Sequence, residues 1–68
     1  MNKALIAGNV LDHCNDGGDF CDGIRIEAMR TKLPMLKVAK IFVEEWGELR
    51  QGYDMADFRY LDKHVPAR

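Results

Sequence analysis

Apolar and polar positions alternate most regularly between Gly23 and Arg30, where Ile24, Ile26 and Ala28 fall on one side and Arg25, Glu27 and Met29 on the other. A period of two is the mark of a half-buried strand. The segment Lys3 to Asp12 mixes Leu5, Ile6, Val10 and Leu11 with Gly8 and Asn9. It carries a weaker strand pattern, in which the glycine marks a bulge or a close backbone approach. Between the two, Asn15-Asp16-Gly17-Gly18 is a turn signal, because glycine tolerates positive φ and Asn or Asp satisfies nearby backbone groups. A three-residue loop over 16–18 pairs Val10 with Ile24, Gly8 with Ile26 and Ile6 with Ala28, giving one apolar face. A slip by one residue mixes Asn9 and Arg25 into that face and is disfavoured.

The next stretch changes period. Thr31 reads as an N-cap and Pro34 as a first-turn residue, and a helix then runs from Lys32 to Arg50. Met35, Ala39, Phe42, Trp46 and Leu49 form its apolar stripe, flanked by Leu36, Val38 and Val43. Gln51-Gly52 ends it in the usual way. The last segment, Tyr53 to Lys63, fits two readings. As a helix it places Met55, Phe58, Leu61 and Val65 at three- and four-residue spacing with Asp54 as cap. As a strand it is favoured by Tyr53, Phe58 and Tyr60, and a third strand leaves the sheet less marginal than a lone hairpin. The strand is chosen. The expected fold is therefore α+β: ββαβ, a three-stranded antiparallel sheet of order 2-1-3 with one helix packed across one face, over residues 1–68 as a single compact domain.

Composition narrows the function. The chain has 68 residues and is 47% hydrophobic, with 10 Lys plus Arg, 11 Asp plus Glu and a net charge of -1. A domain of this size has little interior left for a rigid catalytic cleft, so no enzyme is expected. The run Ala4 to Ala7 is too short for a signal-peptide core, and no apolar stretch reaches the length of a membrane span. A soluble cytoplasmic protein without cofactor is expected, and Cys14 and Cys21 are too few for a secreted disulfide scaffold.

The charge is unevenly placed. Asp12, Asp16, Asp19 and Asp22 fall within eleven residues that contain no Lys or Arg, so the loop carries -4 and the rest of the chain +3. An acidic patch of this kind docks on a cationic surface of a larger protein, because complementary fields speed association and set orientation. The helix offers a second contact, in which Ile41 projects as an exposed apolar residue framed by Lys37, Lys40, Glu44 and Glu48. These charges run against the helix dipole, as expected of a surface shaped by a partner. Either this face or a sheet edge could also pair two copies.

Two other chemistries are weaker. His13, Cys14 and Cys21 with Asp12 or Asp22 supply zinc-type ligands, but adjacent strand residues point to opposite faces and the spacing matches no compact zinc motif. Phe58, Arg59, Tyr60, Lys63, His64 and Arg68 interleave rings with cations, as nucleic-acid binders do, although Asp54, Asp57 and Asp62 dilute the charge and the domain lacks a basic stripe. No nucleophile and base are accompanied by an oriented third group.

The hairpin-helix-strand plan with separated charges is similar to that of small inhibitors and regulators carried by phages and other mobile elements, of which anti-CRISPR proteins are an example. The resemblance implies a steric and electrostatic inhibitor that engages cationic residues its partner uses for nucleic acid. The alternatives are a nucleic-acid-binding module and a small metal-binding or redox regulator.

Overall fold

A computed structural model describes residues 2–64, and over them every element is a helix: α1 (Lys3–Asn15), α2 (Phe20–Thr31), α3 (Met35–Trp46) and α4 (Met55–His64). Among the described residues there is no strand. The three-stranded sheet and the α+β class are thereby overturned.

Burial shows why helices win. In α1 the buried side chains are Ile6, Ala7 and Val10, spaced by one, three and four as on a helical stripe. Leu5, which had supported a strand, is half exposed. In α2 the buried set is Phe20, Gly23, Ile24, Glu27 and Ala28, again at three- and four-residue spacing. The apparent alternation depended on Ile26, whose exposure is 50%. Asn2 caps α1 by accepting the Leu5 N–H at 3.0 Å, and Asp19 caps α2 by accepting those of Cys21 and Asp22. The turn at 16–18 stands, joining two helices instead of two strands. Gly23 has a packing reason: a Cβ there would lie 3.3 Å from the Val10 carbonyl oxygen. Its absence lets α1 and α2 close on each other, against a helix-propensity cost of about 1 kcal/mol.

The third helix is shorter at both ends than the expected span of 32–50. A residue that precedes proline is biased away from helical dihedrals, so Leu33 before Pro34 separates two helices. Lys32 is instead the left-handed cap of α2, with φ 61°. Thr31, expected to cap α3, closes α2 by donating its hydroxyl to the Glu27 carbonyl. The other end stops at Gly47, φ 91°, whose N–H reaches the Val43 carbonyl.

The segment expected as strand three is α4. Asp54 and Asp57 cap it reciprocally, each carboxylate accepting the other's N–H at 3.0–3.1 Å, the logic of a capping box. Phe58 is buried, with Met55 and Leu61 packed against the core. Val65 lies outside the described residues.

The core centres on α3, which packs against α1, α2 and α4. Three neighbours bury a wider arc than one sheet would, and the arc includes Met35, Val38, Ala39, Ile41 and Phe42. Phe20 joins it through edge-on contacts with Phe42 and Phe58 at centroid distances of 4.9 and 6.1 Å. Trp46, assigned to the stripe from its spacing, is 47% exposed.

Candidate docking surface

The acidic stretch forms the corner between α1 and α2, and its four carboxylates have different tasks. Asp19 is structural: besides capping α2, both its oxygens accept the Tyr53 hydroxyl at 3.1 Å. Asp22 pairs with Arg25 one turn along α2. Asp12 and Asp16 are exposed, and neither has an ion pair among the described residues. The corner's free negative charge is therefore carried by Asp12 and Asp16.

The corner is held from outside by the α3–α4 connection. Gln51 accepts the Phe20 N–H at 2.8 Å through Oε1 and donates to the Gly18 carbonyl at 3.2 Å through Nε2. Gln51 takes a left-handed backbone, φ 58°, to do this. Burial raises the Tyr53 hydroxyl pKa, and its bond to Asp19 adds to the effect. The phenol is a proton donor at neutral pH, as the bond to a carboxylate requires.

The second expected contact is not formed as read. Ile41 is 1% exposed, so it cannot serve as an exposed anchor. Its position, opposite the stripe drawn for one covering sheet, faces inward because α3 is covered from several sides. Lys37, Lys40, Glu44 and Glu48 are exposed, with Glu44 paired to Lys3 at 3.0 Å. Glu48 lies beyond the end of α3 and is not part of a helical face.

Exposed apolar side chains occur elsewhere. Ile26 and Met29 on α2 are 50% and 58% exposed. With Asp22 they occupy positions i, i+4 and i+7, so an apolar strip continues outward from the acidic corner along α2. At the far end of α2, Asn2, Leu5, Ile6, Arg30, Thr31 and Leu33 line a notch of about 260 Å³. Its polar groups are engaged: Asn2 caps α1, Thr31 donates to Glu27, and Arg30 grips the Glu27 carboxylate through Nε and Nη2. The notch thus presents mainly apolar surface.

Glu27 is the one buried charged residue among the described residues, 4% exposed. Asn9 and Arg30 both donate to it, and the pairing holds the Arg30 guanidinium above its ordinary pKa. Both thiols are free and half-buried. Burial is the main cause raising each pKa, and Asp19 adds to both, so thiolate character is suppressed. No group of three or more His, Cys, Asp or Glu among the described residues is arranged to hold a metal ion.

The sequence does not reveal the roles of Gln51 and Tyr53, which hold the corner, or of Asp62, whose carboxylate accepts the Met35 and Leu36 N–H groups at the start of α3. One signal was available for Asp62: a helix that starts after proline has no side-chain acceptor of its own for its first N–H groups.

No helix among the described residues is long and apolar enough to cross a membrane. Comparison with protein-family models, with curated proteins and with solved structures finds no match to this chain.

Proposed function

We propose that this protein is a non-enzymatic protein-binding module, an inhibitor or regulator that docks on a cationic surface of a larger protein. The contact is the acidic α1–α2 corner and the outward strip of α2. Similarity to the phage-borne plan no longer supports this reading, because that similarity rested on a ββαβ chain. The observation that carries it is one juxtaposition. The exposed pair Ile26 and Met29 shares a face of α2 with Asp22 of the acidic corner, whose other carboxylates Asp12 and Asp16 are exposed and have no ion pair among the described residues.

Free carboxylates near apolar anchors are an arrangement by which interfaces combine fast encounter with a desolvated centre, and the exposed cations flanking the strip, Arg25 and Arg30, are paired with Asp22 and Glu27. The Gln51 and Tyr53 bonds favour the reading, since a pre-ordered corner loses less entropy on binding. In this reading the protein acts in the cytoplasm, where free thiols persist.

Site-specific photo-crosslinking in the source cell tests it. A photoreactive residue at position 16 or 29 is expected to capture the same larger protein through a Lys- or Arg-rich segment, whereas one at Lys37 or Lys40 captures none. Equal labelling from all four positions, or different proteins from 16 and 29, contradicts the proposal.

A further inference from the structure

We infer that the outward face of α4 binds single-stranded nucleic acid, with Arg59 and Lys63 on phosphates and the Tyr60–His64 ring pair on bases. This surface is separate from the α1–α2 corner and does not depend on the protein-docking reading. In the sequence, Asp54, Asp57 and Asp62 dilute the cations of this segment; in the fold each carboxylate accepts backbone N–H groups, and none pairs with Arg59 or Lys63 among the described residues. Asp54 and Asp57 cap each other at the start of α4. Asp62 turns onto α3, accepting the N–H groups of Met35 and Leu36 at 2.8 and 3.0 Å. Arg59 and Lys63, one turn apart, have no ion pair among the described residues and are exposed.

The aromatic part is also selective. Phe58 is fully buried and contributes nothing to this surface, whereas Tyr60 is 59% exposed. Tyr60 stacks on His64 with centroids 4.0 Å apart and planes 10° apart. The His64 Nδ1 lies 3.0 Å from the Tyr60 carbonyl oxygen, a distance that fits an Nδ1–H donating to it. The ring pair is thus a pre-ordered platform with an outer face on which a base can stack. Lys63 and His64 suit the negative end of the helix dipole, but that accounts for neither Arg59 in mid-helix nor a large ring held in water. Stacking requires an unpaired base, which favours a single strand over a duplex. Arg68, counted with this group in the sequence, lies outside the described residues.

The test is fluorescence anisotropy with labelled single-stranded oligo-dT and oligo-U and with a duplex of equal length, at 50 and 200 mM KCl. Saturable single-strand binding that weakens with salt is expected. Tyr60→Ala should weaken it by about 5-fold or more, and Tyr60→Phe should preserve it. The Arg59→Glu/Lys63→Glu variant should abolish it and Lys37→Glu should not, with circular dichroism confirming that each variant is folded. Absence of saturable binding at 50 mM KCl overturns the inference. So does binding of the duplex as tightly as the single strand with no effect of Tyr60→Ala, which would mark a generic polyanion contact.

Discussion

The Asp62 carboxylate in α4 accepts the backbone N–H of Met35, the first residue of α3, at 2.8 Å across 27 positions of sequence. Its second oxygen takes the Leu36 N–H. Pro34 supplies the N-cap position but no side-chain acceptor, so α3 is capped by the helix that follows it. Removing a cap costs typically about 1 kcal/mol, and two bonds to an ionised acceptor place this one at roughly 1–2 kcal/mol. Asp62→Ala is expected to lower the thermal midpoint by about 4–16 °C, given about 4–8 °C per kcal/mol in a domain of this size. Asp62→Asn, which keeps one acceptor oxygen, should fall between. A midpoint unchanged in Asp62→Ala would mean that α4 does not cap α3.

Glu27 and Arg30 test a different kind of interaction. Arg30 is half exposed, whereas the Glu27 side chain is 5% exposed, so the two truncations are not equivalent. Arg30→Ala leaves a buried carboxylate with only Asn9 as side-chain donor and should cost roughly 1–3 kcal/mol in urea unfolding. Glu27→Gln keeps the shape and removes the charge, so the double variant Glu27→Gln/Arg30→Ala is expected to be more stable than Arg30→Ala alone. If the double variant is the weaker one, burial of charge is not the reason for the loss.

How far the residues reveal the fold differs by element. The amphipathic core of α3 is legible because Met35, Ala39 and Phe42 repeat at helical spacing. The other helices are masked by single residues. Ile26, an exposed apolar side chain, turns the stripe of Ile24 and Ala28 into an apparent alternation, and interior Gly8 and Gly23 lower helix propensity. In the segment that contains α4, the aromatic Tyr53, Phe58 and Tyr60 suggest a strand. The pair Asp54 and Asp57 decides for a helix, because each carboxylate caps the other's N–H. Ile41 was misplaced for a global reason: which arc of a helix is buried depends on how many neighbours cover it, and that is a property of the assembled fold. The acidic corner was visible as charge, but that Asp19 is also held by the Tyr53 hydroxyl, 34 positions away, is a property of the assembled fold.

Alkaline pH should expose the Tyr53 latch. Burial, reinforced by Asp19, raises the Tyr53 hydroxyl above 10.0, and burial raises both thiols above 9.0. The folded state holds these protons more tightly than the unfolded chain, so their contribution is complete below the ordinary values. It is lost as pH rises through the higher folded values. Urea midpoints between pH 8 and 11 should be level at first and then fall, and Tyr53→Phe should flatten the part above pH 10. The same slope in Tyr53→Phe would assign the loss to other groups.

The docking surface is tested most directly by the association rate of the Asp12→Lys/Asp16→Lys variant with the protein captured by crosslinking, measured by stopped flow at low and physiological salt. Neither carboxylate has an ion pair among the described residues, so the substitution changes the field with little effect on the fold. Association at least about 10-fold slower at low salt, with a weakened salt dependence, is the expected result. A rate equal to that of the unmodified protein at both salt concentrations would contradict docking through the acidic corner.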